Sequence, residues 1–373
     1  MLIVPAAAPR GGGAYSRAMP GIHETRRARL GALVAERGAD AALITRLVNV
    51  RYLSGLASSN AALLLRADGT AVLGTDGRYA GTAARVCPEL ECVIDRDTAG
   101  ALGARATGRL AFEAHDVTVE AHRALADELD GVELVPLGRA VEQLRTVKDE
   151  EEIALLREAC AITDRAFDAV LPFIRPGRTE REIAVVLERS MVDLGAERPA
   201  FASIVASGPN GAIPHHVPGT RTVESGDFVT MDFGALYGGY HADMTRTVAV
   251  GPAVGALREI YDLVAAAQRA GVEAACPDAA TKDVDAAARD VIEAAGYGDE
   301  FPHGLGHGVG LEIHEAPLLG YDKTGKLTDR VPITVEPGVY LAGRGGIRIE
   351  DTLAVRTDGV ELLTKTTKEL LVI

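Results

Sequence analysis

The chain has 373 residues, of which 47% are hydrophobic, and 39 Lys and Arg against 53 Asp and Glu give a formal net charge of −14. Because a single hydrophobic core stops growing at about 250–300 residues, this length predicts two domains. The acidic balance argues against a nucleic-acid partner, which needs a surplus of Lys and Arg, and against docking on an anionic membrane.

The cysteines and the first residues indicate the compartment and the start of the fold. Four cysteines are too few for a disulfide framework in this length, so we expect reduced core thiols in a cytoplasmic protein. No apolar run reaches the roughly 18 residues of a membrane span. Residues 1–22, rich in Gly, Pro and Ala, are expected to form a flexible tail, and we hypothesise that translation begins at Met19.

Short helices and strands alternate over residues 23–145. Helical spacing of apolar residues predicts a helix over 24–38, which ends at Gly38, and two strands joined by the turn Ala67-Asp68-Gly69 are predicted over 61–76. Further elements are predicted as strands at 41–46, ECVIDRD, RLAFEA and VELVPL, and as helices at 79–86 and 117–129. This alternation predicts a first domain of α/β type.

The pattern changes at about residue 146. An acidic first turn and an apolar stripe predict a helix from Asp149, and Thr179 with Glu182 predicts the capping box of a second helix. The remaining elements are predicted as glycine-rich strands over 200–250, helices over 254–271 and 280–295, and strands to the end. The second domain is therefore predicted over residues 146–373.

Two aspartates stand out in the segment DFVTMDFGALYGGYHADMTRTVAV, which predicts a hairpin over 227–250. A turn centred on Tyr237-Gly238 places Asp232 directly opposite Asp243. Two like charges so close are destabilising unless a cation lies between them, and a pair of metal ions would supply it. The alternative is that both aspartates face solvent, and a slip in register would break the pairing.

Six of the nine histidines lie between positions 215 and 314. The segment FPHGLGHGVGLEIHE places His303, His307 and His314 among glycines, which let a backbone approach a ligand closely. Glu336 ends a β-branched strand, and Glu350 lies on the polar face of another, where alternation does not distinguish a site from solvent.

Together these residues form a candidate metal-binding set, which consists of Asp232, Asp243, His307, Glu336 and Glu350. Four carboxylates and one imidazole, with no sulfur, disfavour a structural zinc site and suit Mn²⁺, with Co²⁺ or Zn²⁺ as alternatives. Two divalent ions would also balance the four negative charges.

The sequence resembles the pita-bread metallopeptidases, in the Xaa-Pro aminopeptidase and prolidase branch, through MDFGALYGGYHADMTRT, HGLGHGVGLEIHE, VEPGVY and RIEDT. Weaker motifs, VRYLSGL and TDGRY, resemble the creatinase-like N-terminal domain of that family. The resemblance implies an α+β chain in which a smaller α/β creatinase-like domain precedes a pita-bread catalytic domain. It also implies a homodimer or homotetramer.

The resemblance assigns a role to each matching residue. Asp232 resembles a chelating ligand of one metal ion, Asp243 and Glu350 resemble bridging carboxylates, and His307 and Glu336 resemble ligands of the other ion. The remaining matches are the catalytic residues His215 and His314, with Glu336 as proton carrier, and the proline-pocket residues His303, Tyr340 and Arg348.

The function implied is hydrolysis of the bond between an N-terminal residue and a following proline in small peptides. We expect an Xaa-Pro aminopeptidase, with an Xaa-Pro dipeptidase (prolidase) as the alternative. Some prolidases carry an arginine four residues after the position of His314, where this chain has Leu318, which weakens the dipeptidase interpretation. A metal-free creatinase and an inactive pita-bread binding protein are remoter alternatives, because the ligand set is complete.

Overall fold

The computed structural model describes residues 2–4 and 21–373, which divide into two compact units, Met1–Arg145 and Thr146–Ile373. Three residues of the predicted tail, Leu2–Val4, form a strand that pairs with Cys92, Val93 and Ile94. The rest of that tail up to residue 20, including the hypothetical start at Met19, lies outside the described residues.

The N-terminal unit is built on one seven-stranded mixed sheet with the strand order β1-β5-β4-β3-β2-β6-β7. Its elements are β1 (Leu2–Val4), α1 (Ile22–Glu36), β2 (Ala41–Ile44), α2 (Leu47–Ser54), β3 (Ala61–Arg66), β4 (Ala71–Thr75), α3 (Ala80–Val86), β5 (Glu91–Ile94), α4 (Thr98–Gly103), β6 (Arg109–Phe112), α5 (Val119–Glu128), β7 (Glu133–Pro136) and α6 (Ala140–Thr146). The α/β prediction is confirmed. The sequence pattern missed α2, α4 and α6, although it predicted α3, which is of similar length. Helices of six to eight residues span only about two turns, so their period is a weak signal.

The C-terminal unit contains four smaller sheets and four long helices. Its elements are α7 (Glu150–Val170), α8 (Glu180–Asp193), β8 (Arg198–Pro199), β9 (Ile204–Ser207), β10 (Phe228–Phe233), β11 (Ala235–Tyr237), β12 (Tyr240–His241), β13 (Met244–Ala249), α9 (Ala256–Ala274), α10 (Thr281–Ala294), β14 (Gly306–Gly308), β15 (Glu315–Leu319), β16 (Pro332–Val335), β17 (Gly338–Leu341), β18 (Gly345–Arg348), β19 (Asp351–Arg356) and β20 (Gly359–Leu362). The sheets have the orders β13-β10-β9, β12-β11-β8, β15-β14-β16-β19-β20 and β17-β18.

Two cores hold the helices of this unit against its sheets. In one core, side chains of α7 and α8 such as Phe167 and Leu187 pack on Met231 of β10. In the other, Val264 of α9 packs with residues of α10 and Ile333 of β16. The predicted capping box of α8 is confirmed, and a second one closes the start of α7. None of the described helices is long and apolar enough to cross a membrane.

The cysteines agree only in part with the expectation of buried thiols. All four are free, and Cys87, Cys92 and Cys160 are buried. Cys276 is exposed, so the prediction is wrong at that position. It follows the end of α9, where the chain turns at the surface instead of entering a core.

Candidate metal centre

The hairpin of β10 and β13 carries the two predicted aspartates, but its register differs from the prediction. Asp232 lies opposite Thr245, whereas the sequence analysis placed it opposite Asp243. The prediction of a directly facing pair is therefore wrong.

The reason is the position of the turn. Tyr237 pairs with Tyr240, so the turn residues are Gly238 and Gly239, whose φ angles are +58° and +84°. Two-residue hairpin turns of type I′ need positive φ at both central positions, which glycine adopts without steric cost. A turn centred on Tyr237-Gly238 would force a tyrosine into that conformation.

Asp243 leaves the ladder between β12 and β13 and becomes buried, with 5% of its surface exposed. The backbones approach closely here, since a Cβ at Gly234 would clash with the carbonyl oxygen of Ala242. Burial raises the pKa of Asp243 well above its usual range, and the charges of Glu350 and Asp232 add to this effect. The two aspartates therefore interact without facing each other in the ladder.

His307 lies on β14 with its ring aimed at carboxylates. Its Nδ1 lies 3.0 Å from the carbonyl oxygen of Gly308, so Nδ1 carries the hydrogen and Nε2 keeps its lone pair. That Nε2 is 3.6 Å from Asp243 Oδ2 and 3.3 Å from Glu336 Oε1. Burial lowers the pKa of His307, which keeps the ring neutral. Three lone-pair donors thus point at one another, an arrangement that a cation stabilises.

The two glutamates follow strand ends and are held by threonines. Thr245 donates to Glu350 Oε2 at 2.7 Å, and Thr334 donates to Glu336 Oε1 at 3.1 Å. Burial raises the pKa of Glu350 well above its usual range and that of Glu336 to about 7. The ambiguous polar face that carries Glu350 therefore points inward, with 1% of this residue exposed.

The residues present fit divalent metal ions. Asp243, His307 and Glu350 offer ligand atoms that all lie within 4.8 Å of one another. Oδ1 of Asp232 and Oε1 of Glu350 are buried and accept no hydrogen bond from the described residues. Buried, unsatisfied carboxylate oxygens are costly, and oxygen-rich sets of this kind suit hard or borderline divalent cations.

Asp232 is the first member of a hydrogen-bonded chain that leads away from this cluster. Arg348 Nη2 donates to Asp232 Oδ2 at 2.7 Å, and Arg348 Nη1 donates to the hydroxyl of Tyr340 at 2.9 Å. The same hydroxyl lies 2.9 Å from Nε2 of His303. The three residues predicted to surround the proline pocket therefore form one connected set beside the carboxylates.

A cavity of about 600 Å³ opens over the cluster. The sequence predicts ten site residues and draws attention to Leu318, which makes eleven positions. Ten of them line the cavity, namely His215, Asp232, Asp243, His303, His307, His314, Leu318, Glu336, Tyr340 and Arg348. The remaining one, Glu350, is buried beneath them. The ring of His314 lies 4.4 Å from that of His307 in an edge-on arrangement. Burial is the main cause that lowers the pKa of His314.

Two threonines of the centre were not predicted from the sequence. Thr245 and Thr334 position Glu350 and Glu336, and Thr334 also accepts from the backbone N–H of His307 at 3.1 Å. Thr245 is 105 residues from Glu350, and Thr334 is 27 residues from His307 but only 2 from Glu336. Only the last of these pairs is close enough in the chain to be a sequence signal.

A second group of metal-ligand type, formed by Glu113, His115 and Glu142, lies in the N-terminal unit. Glu113 already accepts from two backbone N–H groups and from Asn49. Glu142 accepts from Arg46, Asn49 and His115. Because protein donors hold these carboxylates, the group is a polar network of the fold.

The raised pKa values predict how the metal-free protein responds to pH. Carboxyl groups whose folded-state pKa is raised favour the folded protein below their unfolded pKa, and for Glu336 this contribution is lost as pH rises from 4.5 to about 7. The buried histidines have lowered pKa values and oppose this trend only below roughly pH 6.5, where unfolded histidine becomes charged. A comparison of the wild type with Glu336→Gln in EDTA removes the histidine contribution, which both proteins share. Relative to the variant, Tm of the wild type should fall as pH rises from about 4.5 to about 7. Calorimetry would measure both profiles, and parallel profiles over this range would contradict the burial of charge.

Family models match both parts of the chain. Residues 154–357 match the model "Metallopeptidase family M24", and residues 26–147 match the model "Creatinase/Prolidase N-terminal domain". The chain is 47% identical over 232 residues to the Xaa-Pro dipeptidase of Pyrococcus furiosus, which is 62% of this chain and 66% of that protein.

Two solved structures are similar to this fold over nearly the whole chain. The Xaa-Pro dipeptidase from Bacillus anthracis has a TM-score of 0.91 and 38% identity, covering 94% of this chain and 100% of the other. The X-Pro aminopeptidase from Thermotoga maritima has a TM-score of 0.84 and 35% identity, covering 91% and 99%. The two-domain architecture expected from the motifs is thus confirmed.

Proposed function

This chain belongs to metallopeptidase family M24, and we propose that it hydrolyses the bond between an N-terminal residue and a following proline, with Xaa-Pro dipeptides as preferred substrates. The observation that carries the proposal is the convergence of four buried or half-buried carboxylates and a neutral imidazole below one cavity. The names of relatives with 47% and 38% identity support the dipeptide substrate over the longer peptides first expected.

Five residues would hold two divalent cations, for which we propose Mn²⁺. Asp232 would hold one ion, His307 and Glu336 would hold the other, and Asp243 and Glu350 would serve both. When bound, the ions supply a low-pKa water and polarise the scissile carbonyl. Orphaned oxygens on Asp232 and Glu350 favour this assignment, because a cation would satisfy them.

Proton transfer is assigned to residues of the chain itself. The proline nitrogen of an Xaa-Pro bond carries no hydrogen, so it must gain a proton to leave as an amine. Glu336 lines the cavity beside His307, where it can take a proton from water and deliver it to that nitrogen. His215 and His314 line the same cavity, and we assign to them the hydrogen bonds to the oxyanion that develops on the carbonyl.

The chain of His303, Tyr340 and Arg348 shapes the side on which proline binds. Their mutual hydrogen bonds fix the Tyr340 ring and the guanidinium, so the pocket wall is already formed before substrate binds. A preformed wall holds the rigid pyrrolidine ring at little entropic cost.

The cavity also contains a group suited to the free carboxylate of a dipeptide. Among the described residues that line it, Arg348 and Lys323 are the only Lys or Arg, and Arg348 is bound to Asp232. Lys323 pairs with its exposed neighbour Asp322 at 2.9 Å, and its side chain is 39% exposed. Leu318, 48% exposed, offers no charge at the position where some prolidases have arginine. We therefore assign carboxylate recognition to Lys323.

A substrate series tests the dipeptidase assignment. With Mn²⁺-loaded protein, we expect kcat/KM for Met-Pro to exceed that for Met-Pro-Ala at least tenfold, because only the dipeptide places its carboxylate next to the proline ring. Product release would be followed by chromatography, with Pro-Met and Met-Ala as controls. Faster cleavage of the tripeptide would establish the aminopeptidase alternative, and cleavage of Met-Ala alone would contradict proline specificity.

A further inference from the structure

Glu180 is a buried carboxylate outside the candidate centre. It is the first residue of α8, follows the capping residue Thr179, and has 0% of its surface exposed. A helix start favours negative charge, but the cap of α8 is already supplied by Thr179 and Glu182. The carboxylate of Glu180 therefore has another structural purpose.

The hydrogen bonds of the Glu180 carboxylate all reach one segment, residues 207–219, which we call the His215 loop. Oε1 accepts from the backbone N–H of Ser207 at 2.8 Å, from its hydroxyl at 2.8 Å and from Asn210 Nδ2 at 2.9 Å. Oε2 lies 2.7 Å from Nε2 of His216 and accepts from the N–H of Gly219 at 3.2 Å. One carboxylate thus ties together both ends and the middle of the loop.

Apolar packing contributes little to the outer part of this loop. Ile213 and Val217 are 52% and 80% exposed, and His215 between them is exposed as well. Pro214 accepts only a long hydrogen bond, 3.4 Å, from Arg348. The side chain of His215 nevertheless lines the cavity. The ends of the loop have other partners, since Arg221 donates to the Ser207 hydroxyl and the N–H of Arg181 donates to the carbonyl of Gly219. The side chain of His216, next to His215, is held by Glu180.

We propose that Glu180 is a positioning residue for His215: through Ser207, Asn210, His216 and Gly219 it fixes the loop that directs the imidazole at the reacting carbonyl. This inference rests on the proposed role of His215 in hydrolysis. Glu180 touches neither substrate nor metal ions in this assignment. A loosened loop would shift the His215 hydrogen-bond donor, and a misplacement of about 1 Å can cost roughly 100-fold in rate.

The test is a double-mutant cycle with His215. In the Mn²⁺-loaded protein, Glu180→Gln keeps the side-chain size but replaces one acceptor oxygen with a donor, so kcat should fall about 10- to 100-fold. KM and the number of bound metal ions should change little. In the His215→Ala background the same substitution should cause no further fall, because the residue through which it acts is gone.

Two further variants separate positioning from folding. Thr179→Ala removes the neighbouring cap of α8, so it should lower Tm while leaving kcat unchanged. If Glu180→Gln does not fold, His216→Leu removes one of the loop contacts and should show the same dependence on His215.

The outcomes are distinguishable. Full additivity of Glu180→Gln or His216→Leu with His215→Ala, or an equal kcat loss in Thr179→Ala, would overturn the inference. If His215→Ala alone left kcat unchanged, the proposed role of His215 would fail first.

Discussion

Asp243→Ala is expected to abolish hydrolysis of Xaa-Pro substrates and to leave fewer than two metal ions bound per chain. Asp243 is buried, lies 3.6 Å from His307 Nε2 and belongs to the group whose ligand atoms converge within 4.8 Å. Loss of a hydrogen-bond partner of a metal ligand typically costs about 10- to 100-fold in affinity or activity, so loss of a bridging ligand should cost more.

The same substitution should have the opposite effect on the metal-free protein. Burial and the charges of Glu350 and Asp232 oppose ionisation of Asp243, so its removal relieves repulsion. In EDTA at pH 8, Tm of Asp243→Ala should equal or exceed that of the wild type. Added Mn²⁺ should raise Tm of the wild type much more than Tm of the variant. Elemental analysis would give the ion content, and calorimetry would give both Tm values.

A buried aspartate away from the centre provides the control. Asp227 pairs with Arg221 at 2.6 Å and lies outside the cavity lining. Asp227→Asn should lower Tm in EDTA and leave the metal content at two ions per chain. If Asp243→Ala kept two ions and wild-type activity, the bridging assignment would be wrong.

The sequence predicted which residues lie around one cavity better than it predicted the register that brings them there. The pairing of Asp232 with Asp243 failed because two neighbouring dipeptides, Tyr237-Gly238 and Gly238-Gly239, each look like a turn. Only the positive φ angles at both glycines decide between them. Asp243 reaches the cluster by leaving the ladder, an irregularity that alternation along a strand does not encode.

The sequence also did not predict side-chain contacts between residues that are far apart in the chain. Alternation around Glu350 left open whether its face is solvent or a site, and burial under Thr245 from another strand answers that question. Glu180 gave no signal either, since it contacts a loop 27–39 residues further along the chain. The four long helices and the capping box of α8 were predictable because their determinants lie within a few residues of one another.

His314→Ala is expected to lower kcat for Met-Pro by about 100- to 1,000-fold, the usual cost of losing one oxyanion donor. Burial lowers the pKa of His314, with a further contribution from His307, so near neutral pH the ring is an uncharged N–H donor. Such a donor stabilises negative charge that develops on the substrate without repelling nearby cations. KM should change less than kcat, because the interaction strengthens only as the charge forms.

The metal content distinguishes this role from ligation. The His314 ring contacts that of His307 at 4.4 Å, so a ligand role for His314 is the natural competing hypothesis. If His314 acts on substrate, His314→Ala should retain two ions per chain and the Mn²⁺-dependent rise in Tm, and His314→Gln should recover part of kcat by restoring an N–H donor. His122→Ala, which removes a histidine packed on Phe112 in the N-terminal unit, should leave kcat unchanged. Loss of an ion in His314→Ala would instead make His314 a ligand, and the oxyanion contact would then rest on His215 alone.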